Sequence, residues 1–247
     1  MIESLSKNPL MVGALVFVAG LAGAGTMFVW QGSAAGLGER ARIEGVVRDY
    51  VINHPEIIPE AMRALQDKQT GAQIAANRAA ILQPVGNAWS GNPDGDLTIV
   101  EYYDYNCGFC RASLATIAKL VADDPKLRIV YRELPILSEE SRVAARYSLV
   151  AAKSGKFATF HKALYAGGPI SETSLADAVA KSGLDLAQVQ AAANNPAIDA
   201  EIESNYAVAK QLGMTGTPSW VIGDHVVSAA LPLEELQREI ARARKRG

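Results

Sequence analysis

Near the middle of the chain stands LTIVEYYDYNCGFC, residues 97–110, in which a short β-prone run leads directly into Cys107 and Cys110. Apolar residues then recur at helical spacing from Arg111 to Asp123, so the order is strand, Cys-x-x-Cys, helix. A cysteine at the start of a helix faces unpaired backbone N–H groups and the positive end of the helix dipole, which favour the thiolate. The spacing therefore predicts that Cys107 is the nucleophile and that Cys110, one turn away on the same face, resolves mixed disulfides.

These two cysteines are the only ones in the chain, too few and too close together for a structural disulfide framework. The alternatives are half of a zinc site or an inert buried pair. Zinc normally needs four ligands, and His54, His161 and His225 are scattered without ligand spacing, so we predict no metal and no cofactor. Copper(I) accepts two thiolates, however, so a non-enzymatic chaperone or a copper- or zinc-binding protein that uses the same pair stays open as an alternative.

The composition limits the number of domains and the kind of partner. With 247 residues, of which 49% are hydrophobic, the chain can bury one main core plus a smaller appendage. The 24 Lys and Arg residues are balanced by 26 Asp and Glu residues, so no basic field would concentrate a polyanion. We therefore expect no nucleic-acid partner.

The amino-terminal segment is apolar and carries no charge from Leu10 to Trp30. At about 1.5 Å per residue, this run is long enough to cross the hydrocarbon core of a bilayer. Residues 1–35 are therefore predicted to be either a signal peptide, cut near the small residues 32–35, or an uncleaved anchor, which the length slightly favours. Both versions predict a periplasmic or other extracytoplasmic location, with the protein either anchored or secreted after cleavage.

Residues 39–83 form a predicted amino-terminal helical region, with one break at residues 53–56 and a second helix that reaches roughly Gln83. Two interpretations stand about equal. The second helix could pair with copies of itself and form a homo-oligomer, or both helices could simply pack on the main domain or link it to the membrane. The seam that would pair repeats at steps of four and three, and its members are Ile58, Met62, Leu65, Gln69, Ala72, Ala76 and Ala79.

The main domain is predicted to span residues 86–247. A turn at residues 92–95 precedes the strand before the cysteines, and a second strand from Leu127 to Leu134 gives a parallel βαβ unit. A helical block then covers about residues 138–210, followed by a hairpin around Gly223-Asp224 and a helix after Pro232. Within that block, helix starts are marked near Ser138, Ser171, Asp185 and Pro196, and stops at Gly155, Gly183 and Gly213.

Residues 100–110, together with Gly-Met-Thr-Gly-Thr-Pro at residues 213–218, resemble the DsbA-like thiol-disulfide oxidoreductases. The resemblance covers the chain from roughly Gly86 to its end. It implies an α/β fold of the thioredoxin type with an inserted helical domain, which fits the helical block above. The preceding helices resemble the amino-terminal region of ScsC-type and Com1-type members, some of which oligomerise and act as disulfide isomerases.

The resemblance also implies roles for residues outside the Cys-x-x-Cys run. Thr217 and Pro218 would form a loop that faces the disulfide, with Pro218 in the cis form and the backbone of Thr217 free to pair with an extended substrate. Glu101 takes the place of a buried acid that carries protons for Cys110, with its pKa raised by burial. The alternative for Glu101 is an exposed carboxylate on a strand.

The middle of the Cys-x-x-Cys run departs from the oxidases of this family. Gly108 stands where they often carry proline and Phe109 where they carry histidine, which favours isomerisation or general exchange over strong oxidation. We expect only Phe109, among the aromatic residues around the cysteines, to be exposed enough to touch a substrate. The predicted partners are unfolded or misoxidised exported proteins, a membrane redox partner and, through residues 39–83, other copies of the chain.

Overall fold

The computed structural model describes Phe17 and residues 38–246. The predicted signal or anchor segment, residues 1–35, lies outside this part apart from Phe17. Among the residues that are described, none belongs to a helix both long and apolar enough to cross a membrane. The chain divides into two compact units, with the boundary between Arg63 and Ala64.

Three helices form the amino-terminal region: α1 at residues 38–53, α2 at Ile57–Ala76 and α3 at Arg78–Leu82. The predicted break at residues 53–56 is confirmed. The prediction of one helix running to Gln83 is wrong, because Asn77 interrupts it with a φ of −106° and a ψ of 16°. The Asn77 side chain donates hydrogen bonds to the carbonyl oxygen of Gln73 at 2.9 Å and to Oε1 of Gln211 at 3.2 Å, while its backbone N–H also binds Gln73; such side-chain bonds to the backbone are disfavoured in helix interiors.

From Ala64 onward these helices pack on the main domain through Ile74 and Ile81, both buried. The residues of the predicted seam in this part lie on a different face and are exposed: they are Leu65, Gln69, Ala72, Ala76 and Ala79. Helix α2 therefore packs on the main domain through one face and exposes the predicted seam on another. Packing on the main domain does not exclude pairing between copies through the seam.

Five strands form one sheet in the order β1-β3-β2-β4-β5. They are β1 (Trp89–Gly91), β2 (Leu97–Tyr103), β3 (Leu127–Glu133), β4 (Ser219–Ile222) and β5 (His225–Val227). The pairing of β2 with β3 is parallel and all other pairings are antiparallel, so the predicted βαβ unit and the hairpin are both confirmed. The edge strand β1 was not predicted, because its three residues sit in a stretch rich in turn formers, and its place depends on pairing with β3.

Seven helices complete the described part: α4 (Gly108–Asp123), α5 (Glu139–Lys153), α6 (Phe157–Ala166), α7 (Glu172–Lys181), α8 (Leu186–Ala193), α9 (Pro196–Gln211) and α10 (Leu233–Arg246). Helices α5 to α9 stand between β3 and β4 as one helical block, in accordance with the predicted mixed α/β fold. Side chains of Ser138, Ser171 and Asp185 cap α5, α7 and α8, as their spacing predicted. The start of α6 was missed because Lys156, which precedes it, makes no capping hydrogen bond.

The two faces of the sheet carry separate cores because side chains alternate along β2. Val100 and Tyr102 pack on one face with residues of α2, α3 and α9. Ile99 and Tyr103 pack on the other, in the core that also holds Cys107 and Cys110. Glu101 shares the parity of Ile99 and Tyr103 and therefore lies beneath the cysteines.

Candidate active site

Cys107 occupies the N-cap position of α4, with the extended φ and ψ of −82° and 113° that caps favour. Its Sγ accepts a hydrogen bond from the backbone N–H of Cys110 at 3.2 Å. The same Sγ lies 3.2 Å from the carbonyl oxygen of Thr217, to which the protonated thiol donates. The sulfur thus sits between the start of a helix and a loop 110 positions later in the chain.

The pKa of Cys107 falls from its usual value of 9.0 to about 6. The largest cause is a hydrogen bond from the thiol of Cys110, and burial opposes it; the side chain of Thr217 and the backbone N–H groups of Cys110 and Phe109 add smaller stabilisation of the thiolate. At pH 7 about nine-tenths of this thiol would be ionised. Since only the thiolate attacks disulfides, Cys107 is chemically suited to nucleophilic exchange.

The pKa of Cys110 is shifted in the opposite direction. Burial raises its pKa far above the usual value, and both the hydrogen bond it gives to Cys107 and the negative charge of Glu101 act in the same direction. Cys110 therefore keeps its proton while Cys107 loses one, which gives the two sulfurs different chemical properties. Both are free thiols in this structure.

Asp104 fixes the turn that leads into Cys107. Its buried carboxylate accepts hydrogen bonds from the backbone N–H of Asn106 at 2.7 Å and of Leu137 at 2.9 Å. Its carbonyl oxygen accepts from the hydroxyl of Tyr165 at 3.0 Å and from the N–H of Cys107 at 3.1 Å. Strand β2, the loop before α5 and helix α6 are thereby joined at the turn that presents the sulfur.

Glu101 is 2% exposed, and its position opposite Tyr131 of β3 and Trp220 of β4 places it in the middle of the sheet. Its Oε1 is buried and has no hydrogen-bond partner among the described residues. Burial, and secondarily the charge of Cys107, raises the pKa of Glu101 from 4.5 to about 8. The alternative of an exposed strand carboxylate is therefore wrong, and the group can bind or release a proton near neutral pH.

The remaining predicted site residues are Thr217, Pro218 and Phe109. The carbonyl oxygen of Thr217 contacts the sulfur of Cys107, and Phe109 is exposed to solvent. The peptide bond between Thr217 and Pro218 is cis, as the resemblance implied. Phe109 is 69% exposed, whereas Tyr102, Tyr103 and Tyr105 are buried in the core. The prediction that only Phe109 among these aromatic residues is exposed is therefore confirmed. Its contact with a substrate stays a prediction.

One group of buried polar side chains was not predicted. The cluster draws its members from strands β2 and β3, the turn after β2 and helices α5 and α6. They are Tyr103, Tyr105, Glu133, Ser148 and His161. The hydroxyl of Tyr103 bonds Glu133, that of Tyr105 bonds Ser148 at 2.9 Å, and Nδ1 of His161 lies 3.0 Å from Tyr105. Burial raises the pKa of Glu133, and it lowers that of His161 to about 3, so the imidazole is neutral at pH 7.

A sequence signal for this cluster existed in β3. Glu133 has the same parity as Leu127, Ile129 and Tyr131, which all face the core that contains the cysteines. Its partners come from helices whose contacts no spacing rule predicts. Among the described residues, this cluster included, no three His, Cys, Asp or Glu side chains come together in a way that could hold a metal ion.

Comparison with known families gives two matches. Residues 98–241 match the model of the DSBA-like thioredoxin domain, and residues 39–72 match that of the copper resistance protein ScsC N-terminal domain. Among curated proteins, the chain is 32% identical over 136 residues to a Na(+)/H(+) antiporter NhaA from Herminiimonas arsenicoxydans. That match covers 53% of this chain but only 21% of the antiporter, so the chain spans about a fifth of that relative's length.

Three solved structures show the same fold over most of their length. A thioredoxin-like oxidoreductase from Silicibacter pomeroyi DSS-3 is 41% identical with a TM-score of 0.64, over 68% of this chain and 98% of its own. The thiol-disulfide exchange protein alpha-DsbA2 from Wolbachia pipientis is 28% identical with a TM-score of 0.64, over 72% and 97%. A periplasmic thioredoxin-like protein from Salmonella enterica serovar Typhimurium is 25% identical with a TM-score of 0.61, over 67% and 94%.

Proposed function

Since the chain belongs to the DSBA-like thioredoxin domain family and is a thiol-disulfide oxidoreductase, we propose that it exchanges the disulfides of exported proteins as an isomerase or general exchange catalyst. The observation that carries this proposal is the pair of unequal thiols at the start of α4. Cys107 has a pKa of about 6 and Cys110 has a raised one.

The proposed reaction uses both sulfurs in turn. The Cys107 thiolate attacks one sulfur of a client disulfide, so a bond forms from Cys107 to that sulfur and the other client sulfur leaves as a thiolate. If a different client thiolate attacks the client sulfur of the mixed disulfide, a rearranged client disulfide forms and Cys107 leaves as thiolate, whereas attack by the first thiolate only restores the original disulfide. If none does, Cys110 loses its proton and attacks Cys107, which releases the reduced client and leaves Cys107 and Cys110 joined.

Glu101 is the proposed carrier of the proton that Cys110 must lose. It lies beneath the cysteines, and its charge acts on Cys110. With a pKa of about 8 it changes protonation state close to neutral pH, where a general base is most effective. Thr217 and Pro218 would hold the client chain beside the sulfur, and Phe109 would offer an apolar contact outside it.

The preference for rearrangement over strong oxidation rests on two observations. A thiolate that is very stable leaves easily and makes its disulfide strongly oxidising, as in oxidases whose thiol has a pKa of about 3.5, whereas thioredoxin's is about 7. The pKa of Cys107, about 6, is nearer to the second. Gly108 and Phe109 also bring no charge that would stabilise the thiolate further.

We further propose an extracytoplasmic location and assembly through residues 39–83. The uncharged run from Leu10 to Trp30 and the likeness to a periplasmic protein of Salmonella support the location. The exposed seam on α2 and α3 supports assembly, because its apolar members Ile58, Met62 and Leu65 are exposed in the part of the chain that the structure describes. Disulfides that form in such a compartment would require a membrane redox partner to reset the pair.

The experiment is the refolding of a scrambled-disulfide protein by the full chain, with its mass in solution measured alongside. We expect an oligomer that restores native pairings, and a Cys107→Ala variant that keeps its fold and loses the activity. A Leu65→Asp variant should lower the mass, while Ala64→Asp, at an exposed position of α2 that is not three or four residues from any seam member, should not. A monomer that oxidises reduced clients and never rearranges them would disprove the isomerase, and full activity of Cys107→Ala toward the biological partner would favour a binding protein.

A further inference from the structure

A groove of about 700 Å³ opens in the helical block, lined by residues of α5, α7, α8 and the loop before α7. Its volume falls within the range of about 300–1,000 Å³ that ligand pockets have. The walls are largely apolar, through Val143, Tyr147, Ile170, Leu175 and Leu186. It therefore has the size and the chemistry to receive several side chains of another polypeptide.

The charges that line this α5–α7 groove all have one sign. Glu140, Glu172 and Asp177 are exposed and belong to the lining. Among the described residues that line it, none is a lysine, an arginine or a histidine. An apolar surface with acids at its rim favours a segment that carries both apolar and basic side chains.

Two basic residues of α5 are held away from the groove, and the third, Lys153, is not among the residues that line it. Arg142 and Arg146 both pair with Asp199 of α9, at 3.1 and 2.9 Å, and Arg142 also pairs with Glu203 at 2.7 Å. Because these arginines are already paired on the other side of α5, they do not neutralise the acids of the groove. The acids that line the groove therefore keep their negative potential, because the arginines of α5 pair with acids of α9.

Two hydrogen bonds join residues beside Cys107 to the segments that lead into the groove. On one, the side chain of Asn106 lies 3.5 Å from Oγ of Ser138, the cap of α5, two residues before Glu140. On the other, the guanidinium of Arg111, in the second turn of α4, donates to the carbonyl oxygen of Gly168 at 2.9 Å, two residues before Ile170. We take the segments at Ser138 and Gly168 as the route that a client chain bound at Cys107 would follow into the groove.

That route is marked by exposed apolar side chains. Phe109 is 69% exposed, Ile136 45%, Leu137 51% and Val143 37%. These residues stand at the start of α4, in the loop before α5 and on α5 itself, and a concentration of exposed apolar residues on such neighbouring segments favours a binding surface. Val143 belongs to the route and to the lining of the groove.

We propose that the α5–α7 groove binds a client segment that carries apolar and basic side chains, next to the cysteine that exchanges with Cys107. The inference rests on the proposed function, since it gives the exchange reaction a sequence preference. Client disulfides flanked by leucine-like and lysine-like residues would react fastest, and disulfides in acidic surroundings would be repelled.

The test uses the purified full chain and a fluorescein-labelled nine-residue peptide of alternating leucine and lysine, without cysteine. Binding is followed by fluorescence anisotropy at low ionic strength. Glu172→Lys with Asp177→Lys should weaken binding about tenfold, because two attractive surface charges become repulsive. The matched control, Glu234→Lys with Glu235→Lys at the exposed start of α10, makes the same change in net charge outside the groove and should bind as the wild type does.

Two further peptides keep the test independent of how the variants fold. Replacing lysine by glutamate, or leucine by serine, should abolish binding to the wild-type chain. Absence of binding to the wild type, an equal loss in both double variants, or undiminished binding of the serine peptide would each overturn the proposal. Exchange of the wild-type cysteines with glutathione disulfide is measured in parallel: if it is absent, the proposed function fails, whereas the cysteine-free peptide still reports on the groove.

Discussion

Replacing Glu101 by glutamine removes a buried carboxyl whose pKa is raised from 4.5 to about 8. A group whose pKa is higher in the folded than in the unfolded protein binds extra protons when folded. Between pH 4.5 and 8 this carboxyl holds more protons in the folded than in the unfolded state, so its contribution to the stability of the wild-type protein falls as the pH rises through that window. Glutamine cannot ionise, so Glu101→Gln does not have this loss.

The size of the effect follows from the shift. Each pKa unit corresponds to about 1.4 kcal/mol, so the variant should gain roughly 3 kcal/mol over the wild type at pH 7 and about 5 kcal/mol above pH 8. At pH 4.5 this electrostatic gain vanishes, leaving only the small difference between a neutral acid and an amide. Other buried groups such as Glu133 are present in both proteins and cancel in the difference.

The assay is urea unfolding of the reduced wild-type and Glu101→Gln chains at several pH values from 4.5 to 8.5. Glu234→Gln, an exposed acid of α10, serves as the control and should give a difference that does not change with pH. The same variant should accumulate mixed disulfides with glutathione, because Cys110 lacks its proton acceptor. A stability difference for Glu101→Gln that is flat across this window would show that the carboxyl is not held in an apolar surrounding and would refute the reasoning.

Three further predictions concern the acidity of Cys107 and the stability contributed by Arg132 and Gly86. The rate of alkylation of Cys107 by iodoacetamide should rise with pH around a midpoint of about 6, and a midpoint near 9 would contradict the thiolate assignment. Arg132→Leu should lower the free energy of unfolding by about 3 kcal/mol, because the buried guanidinium pairs with Glu201 at 2.6 Å and binds two carbonyl oxygens at the end of α3; an unchanged urea midpoint would speak against it. Gly86→Ala should destabilise by about 3 kcal/mol, since its Cβ would collide with a backbone carbonyl, whereas Gly183→Ala, also at positive φ but with open space, should cost only about 1 kcal/mol in thermal unfolding.

The sequence was sufficient wherever a local rule decides the structure. The strand before Cys107 and the helix after it follow from alternation and helical spacing, and Ser138 or Ser171 marks a helix start because a hydroxyl there binds a free backbone N–H. The acidity of Cys107 also follows in direction from its position at a helix start. Its largest cause, the hydrogen bond from Cys110, follows from the three-residue spacing as well.

Long-range pairing decides what the sequence could not show. Trp89–Gly91 is a strand because it pairs with the edge of β3, and Asn77, where the helix is interrupted, donates a hydrogen bond to Gln211, a residue far along the chain. The roles of Glu101 and Thr217 came from a family resemblance, since nothing local distinguishes a buried acid from an exposed one in a short strand. The cluster around Glu133 was missed for the same reason, as its partners come from helices α5 and α6.

The carbonyl of Thr217 and the sulfur of Cys107 meet although the whole helical block stands between them along the chain. During synthesis, the cysteines emerge long before β4 and its preceding loop exist. A nascent chain that has reached only the end of α9 carries both thiols but lacks one wall around the reactive sulfur. The surroundings of the reactive sulfur are therefore complete only when the loop that contains Thr217 is in place.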